Sequence, residues 1–212
     1  MLVLVNCRKD EYDTVHKPVG KEYFNGNTGH YAIYLVNEII FNDFNNTSDT
    51  LNYQLRELNE SVFKDNLGRP AVRIDRHVRA SDTSSWTYLN TWYAVLDQAM
   101  LERVEENKRL VKLSFPISNE AVWNANAYNA DNANNVFYGL MHQRYQINTF
   151  SFDSAVSVKN TPRINSTTER VFEEVYAKHV GLVYKNHVHV DKSPGPVLRG
   201  FKIKYRLYKH GS

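Results

Sequence analysis

Two histidines separated by one valine, His187 and His189, have the residue type and the spacing to do chemistry. On a β-strand, side chains two positions apart project to the same face, so the two imidazoles could bind one metal ion. Asp75 and His77 have the same spacing on a second predicted strand. If the two strands were neighbours, these four side chains could hold a divalent transition metal. The simpler interpretation is a half-exposed strand that carries histidines and binds no cofactor.

A second candidate site is the basic strand predicted at 199–208, where apolar and polar residues alternate. The apolar positions are Phe201, Ile203, Tyr205 and Leu207, and the polar positions are Lys202, Lys204, Arg206 and Tyr208. We expect the apolar side chains to face the core and the polar ones to face outwards. The outer face could contact the phosphates of a nucleic acid, dock onto an acidic neighbour such as a second copy, or protect a sheet edge from aggregation.

The elements that would position these residues indicate an α+β fold. Apolar residues recur at helical spacings in 49–63 and 86–108, and Ser166 with Glu169 has the capping-box spacing for a third helix over 166–180. Strands are predicted at 1–8, 30–44, 71–80, 110–117, 144–152, 182–190 and 199–208. We therefore predict one mixed α+β domain over residues 1–212, with a largely antiparallel sheet, three to four helices, and a loop or arm at 117–142.

The composition limits the compartment and the chemistry. A chain of 212 residues suits one domain, and its single cysteine, Cys7, excludes an intrachain disulfide and a thiolate zinc cluster. A lone cysteine also favours a reducing compartment. The opening residues lack the features of a signal peptide, and no apolar run reaches about 18 residues. We expect a protein of the cytoplasm or of a virion, without membrane contact.

The charge distribution favours an interaction role over catalysis. Residues 185–212 contain seven Lys and Arg and one acidic residue, a sum of +6, so the remaining chain sums to −3 within the total of +3. Opposite charges on two parts of a chain suit contact between subunits, and the 14 tyrosines suit buried interfaces. The chain has no phosphate loop, no G-x-S-x-G and no H-E-x-x-H.

We therefore predict a non-enzymatic structural or interaction subunit of a larger assembly. We expect it to form a homo-oligomer or to join other subunits, with a phage or virus virion as the setting. Two alternatives remain open. One is a metal-dependent or histidine-based enzyme that uses His187 and His189, and the other is a nucleic-acid-binding module that uses the basic strand.

Overall fold

The protein is described here by a computed structural model that covers residues 20–192 and 198–212. The strand predicted at 1–8 and the single cysteine lie outside these residues. Fourteen strands and one short 3-10 turn, Lys21–Tyr23, make up the regular structure that is described. No helix in these two ranges is long and apolar enough to cross a membrane.

The strands alternate with short turns for most of the chain. Their bounds are β1 Tyr31–Asn42, β2 Thr47–Lys64, β3 Pro70–Arg79, β4 Thr87–Leu96, β5 Met100–Glu105, β6 Lys108–Ser114, β7 Val122–Asn124, β8 Asn135–Tyr138, β9 Gln143–Ile147, β10 Phe150–Asn160, β11 Arg163–Ile164, β12 Thr168–Ala177, β13 Gly181–Lys192 and β14 Leu198–Gly211.

All of these strands belong to one antiparallel sheet that curls into a nearly closed barrel. The order around it is β6-β5-β4-β3-β2-β1-β14-β13-β12-β10-β8-β7, with β9 paired to β10 and β11 to β12. The two ends of this order meet, because the amide of Val111 on β6 donates to the carbonyl of Ala125, 2.9 Å away, just after β7. The indole Nε1 of Trp123 on β7 also donates to the Val111 carbonyl, at 3.1 Å.

The predicted α+β fold is wrong, because the described residues contain no helix of seven or more residues. The helix predicted at 49–63 is part of β2, the one at 86–108 is β4 and β5, and the one at 166–180 contains β12. The predicted strands at 30–44, 71–80, 110–117, 182–190 and 199–208 are confirmed as β1, β3, β6, β13 and β14. The segment 117–142, predicted as a loop or arm, contains β7 and β8.

Charged residues on the inner face of the barrel explain the false helices. On β12 the inward positions are Phe172, Glu174 and Tyr176, and on β2 they include Leu55 and Glu57. A buried glutamate between two aromatic residues breaks the apolar alternation that identifies a strand. The remaining apolar residues then happen to fall three or four positions apart, as on a helix.

Residues 20–30 close one end of the barrel, which we call the plugged end. Tyr23 is fully buried in the core, and its hydroxyl lies 2.7 Å from both His142 Nδ1 and Ser154 Oγ. His30 contacts the carbonyl of Val180 through Nε2 at 3.0 Å. Because neighbouring strands are antiparallel, the turns 43–46, 80–86 and 106–107 lie at the opposite end, which we call the distal end.

Candidate functional site

The interior between the plugged and distal ends contains a network of buried charges. At its centre is Glu174 on β12, whose side chain is fully buried. Lys112 on β6 donates to Glu174 Oε1 at 2.8 Å, and the Tyr176 hydroxyl donates to Oε2 at 2.5 Å. The Lys112–Glu174 pair also connects β6 to β12 across the barrel, since these two strands are not paired in the sheet.

Ion pairs continue from this centre through the interior. Lys112 Nζ lies 3.1 Å from Glu105, and Arg103 connects Glu105 to Glu57 at 3.5 and 3.0 Å. Arg76 then pairs with Glu57 at 3.1 Å. The guanidinium of Arg76 stacks on the Trp92 ring, 3.4 Å from its centroid, and donates to the Tyr205 hydroxyl at 3.2 Å. We call these residues, together with Lys185 and His187, the interior network.

The opposite charges hold the buried carboxylates in their ionised form. Burial alone would raise the pKa of Glu174, but the charges of Lys112 and of the neighbouring cations hold it well below its usual range. Burial opposes ionisation of Glu105 in the same way, yet Lys112 and Lys185 lower its pKa to about 2. Burial and the adjacent Glu174 carboxylate together raise the pKa of Tyr176 well above its usual value.

His187 on β13 belongs to this network. Its ring stacks on Phe172 with centroids 4.2 Å apart, and burial together with the nearby charge of Lys185 lowers its pKa to about 4. Nε2 lies 3.3 Å from Glu174 Oε1, but it is a buried atom that makes no properly aligned hydrogen bond. The imidazole is therefore neutral at pH 7 and incompletely satisfied.

Lys185 is the least satisfied cation of the network. Its side chain is only 8% exposed, yet Nζ is 3.9 Å from the nearest oxygens of Glu105 and of Glu174 and donates no hydrogen bond within the described residues. Its Nζ also lies 5.2 Å from the centroid of the Tyr205 ring. A buried amine at these distances from its partners retains most of its hydrogen-bonding capacity.

The network carries an excess of positive charge. Four cations, Arg76, Arg103, Lys112 and Lys185, face three carboxylates, Glu57, Glu105 and Glu174, which leaves a formal charge of +1 with His187 neutral. Glu38 lies on the same inner face nearer the distal end, but it accepts a hydrogen bond from Tyr53 and pairs with no cation among the described residues.

A cavity of about 40 Å³ adjoins the network towards the plugged end. Glu57, Arg103, Tyr34 and Tyr176 contribute to its lining. Arg103 Nε is a second buried nitrogen without a hydrogen-bond partner in the described residues. A cavity of this size with polar groups in its lining has room for a few water molecules that could satisfy Arg103.

The four predicted metal ligands do not come together. Asp75 and His77 are on β3, which is separated from β13 by β2, β1 and β14. Asp75 accepts hydrogen bonds from Arg73 and Thr91, and His77 contacts the edge of the Tyr88 ring. His189 stacks against Phe201 at 6.0 Å, away from His187 along the strand. In the described part of the chain, no three His, Cys, Asp or Glu side chains are arranged to hold a metal ion.

The basic strand is extended as predicted, but its polar side chains do not form a free stripe. Lys202 donates to both oxygens of Glu169 at 3.0 and 2.9 Å, and the Tyr208 hydroxyl donates to Asp82 at 2.7 Å. Lys204 and Arg206 are exposed. Because β14 lies between β1 and β13, it is not an edge strand, and the edge-protection interpretation is wrong. A nucleic acid or a second copy as partner stays a prediction.

Sequence reasoning found His187 and missed the rest of the network. The carboxylate pairs Glu105–Glu106 and Glu173–Glu174 resemble solvated neighbours on a helix, whereas in a strand one member of each pair must face inwards. The available signal was the period-two series Phe172, Glu174, Tyr176 in β12.

Comparisons with known proteins give a fold likeness only. No family model and no curated protein matches this chain. A "putative exported protein with YmcC-like fold" from Bacteroides fragilis covers 88% of this chain and 98% of its own, with 10% identity and a TM-score of 0.44. A "putative lipoprotein" from Parabacteroides distasonis covers 89% and 98%, with 10% identity and a TM-score of 0.45.

The prediction of an assembly subunit from a phage or virus virion is wrong. Both similar structures are described as a bacterial exported protein or lipoprotein, and neither is described as part of a phage or virion. At this identity and these TM-scores, the likeness carries no further argument about this chain.

Proposed function

We propose that this protein is a binding protein that holds a small organic anion inside the barrel, with the carboxylate or equivalent group against Lys185. The observation that supports the proposal is the position of Lys185 Nζ. It is buried in a network of four cations and three carboxylates, and its carboxylate neighbours are too distant for hydrogen bonds.

The energetics favour a ligand role over a purely structural one. Moving a charged side chain from water into a protein interior costs roughly several kcal/mol of free energy, unless close ion pairs and hydrogen bonds offset this cost. Lys112, Arg103 and Arg76 each have such a partner within about 3 Å. Lys185 does not, so an anion that brings its own charge to Nζ would complete the network.

His187 would support the same ligand. Its buried Nε2 could donate to an anion if that nitrogen carries the proton of the neutral ring. We propose no catalytic step. The expectation that the protein is not an enzyme stays a prediction. The compartment expected from the lone cysteine stays a prediction as well.

The test is a chemical-shift titration of the full-length chain with sodium butyrate at constant ionic strength. We expect saturable shifts at residues of β12, β13 and β14 that surround Lys185. Lys185→Met should weaken the affinity by about tenfold or more, because a charge-assisted hydrogen bond is lost. Lys204→Met, which removes an exposed lysine from the outer face, should bind as the parent does. Equal affinities for the Lys185→Met variant and the parent would refute the proposal.

A further inference from the structure

An apolar surface continues the inner face of the barrel beyond Lys185, towards the distal end. Residues paired across antiparallel strands project to one face, as do residues two apart along a strand. Lys185 pairs with Tyr205, His187 with Ile203, and His189 with Phe201. The face therefore passes along β14 from Tyr205 to Ile203 and Phe201, a distance of about 14 Å at the usual rise per residue.

The same face extends onto the hairpin of β1 and β2. Ile40 pairs with Phe201, and Leu51 pairs with Glu38, which in turn pairs with Ile203. Ile40 is 41% exposed, Leu51 45% and Phe201 38%. We call Ile203, Phe201, Ile40 and Leu51 the apolar strip. Exposed apolar side chains that share one face indicate a contact surface more than single ones do.

The strip borders a groove that is large enough for a ligand. The groove has a volume of about 450 Å³, and its lining includes Ile40, Phe41 and Phe201. Ligand sites commonly have volumes of roughly 300–1,000 Å³ and are mostly apolar with few polar groups. At the inner end of the strip, Ile203 and Phe172 pack against the buried core beside His187. One face therefore leads from a buried cation to an exposed groove with both apolar and charged residues in its lining.

We infer that the anion held by this protein is an amphiphile, with an anionic head at Lys185 and an alkyl chain along the apolar strip. The inference rests on the proposed function and adds the class of ligand. Charge complementarity favours this orientation, because the head meets the cation of Lys185, whereas the groove is lined by two carboxylates, Glu38 and Asp43, against one cation, Arg199. A linear alkyl chain could follow Ile203, Phe201 and Ile40, with the Glu38 carboxylate beside them on the same face.

The test compares three probes on the full-length chain by isothermal titration calorimetry below the micellar concentration. Dodecanoate has both head and tail, butyrate has the head with a short tail, and dodecyl maltoside has the tail without charge. We expect dodecanoate to bind at least about tenfold more tightly than butyrate, because its chain buries more apolar area. Dodecyl maltoside should bind more weakly than dodecanoate.

Variants separate the two ends of the ligand. Phe201→Ser should weaken dodecanoate binding by about tenfold and leave butyrate binding unchanged. Leu67→Ser is the matched control, since Leu67 is exposed in the turn between β2 and β3 and should affect neither probe. Arg199→Gln tests the reversed orientation, with the head beside Arg199 at the groove, and should have no effect.

The outcomes distinguish this inference from the function on which it rests. If butyrate and dodecanoate bound with equal affinity and both required Lys185, the inference that the ligand is an amphiphile would be wrong. The proposed anion site would remain. Tight dodecanoate binding that is unaffected by Lys185→Met, or that requires Arg199, would overturn the inference, and butyrate binding that is also unaffected by Lys185→Met would overturn the anion site as well. Weaker binding in Phe201→Ser for dodecanoate alone would support the inference.

Discussion

Lys112 and Lys185 are two buried lysines of the interior network, and they have different roles. Lys112 makes close contacts with Glu174 and Glu105, at 2.8 and 3.1 Å. Lys185 reaches the same two carboxylates only at 3.9 Å. The first lysine therefore stabilises the fold, whereas the second carries the excess charge that we assign to ligand binding.

The two lysines should respond differently to the same substitution. Lys112→Met leaves Glu174 buried without its main partner and should lower the free energy of unfolding by about 3–5 kcal/mol. Lys185→Met brings the formal charge of the network from +1 to zero, so it should lower the free energy of unfolding by less than about 1 kcal/mol, or raise it. Urea unfolding of both variants measures the difference. Similar losses in both would contradict the division of roles.

His187 should make stability depend on pH. Its pKa of about 4 in the folded protein lies below the ordinary value of 6.5, so the unfolded chain binds more protons between these values. Stability is therefore lost as the pH falls through this window, by about 2 kcal/mol at pH 5 from this group. The measurement is urea unfolding at pH 7.5 and pH 5. Between these two pH values, the free energy of unfolding of His187→Gln should fall by about 2 kcal/mol less than that of the parent.

The control for this experiment is His179→Asn, in an exposed turn where asparagine tolerates the positive φ of 64°. It should lose stability as the parent does. A parent and a His187→Gln variant with the same pH dependence would show that His187 titrates freely, and the buried contact would then be misassigned.

At the scale of elements, β14 was predictable and β2 and β12 were not. In β14 apolar and polar residues alternate without interruption over 204–207. Tyr205 and Leu207 are buried, whereas Lys204 and Arg206 are exposed. In β12 the inward position between two aromatic residues is Glu174. Sequence patterns assume an apolar interior, so a strand whose inner face is charged is not recognised as one.

The pairing of β13 with β14 depends on a close approach of the two backbones at Gly200. Its φ is +120°, and a Cβ there would lie 1.9 Å from the carbonyl oxygen of His189. Gly200→Ala should therefore destabilise the protein by more than the roughly 1–3 kcal/mol of backbone strain alone. Thermal or urea unfolding measures the loss.

Gly68 provides the matched control for Gly200. It also has a positive φ, +74°, but a Cβ there would meet no heavy atom within 4 Å. Gly68→Ala should thus show only the strain, about 1–2 kcal/mol. If both variants lost the same stability, the tight contact between β13 and β14 at Gly200 would be absent.

At the scale of the whole molecule, closure of the sheet places the interior network inside the barrel. The sequence indicates several antiparallel strands, but nothing in it shows that β6 returns to meet β7. That contact depends on the hydrogen bond from the Val111 amide to the carbonyl of Ala125, which follows β7. Without closure, Lys112 and Glu174 would lie on distant parts of an open sheet. Their pairing could not be inferred from local spacing, and neither could the isolation of Lys185.

The anion site at Lys185 depends on the closed molecule, and anomalous diffraction from crystals soaked in sodium bromide tests it most directly. Bromide is a small anion that scatters anomalously and carries no apolar group. We expect an interior bromide in contact with Lys185 Nζ in the parent, and none at that position in Lys185→Met. Bromide found only beside exposed groups such as Lys204 and Arg206 would contradict this expectation.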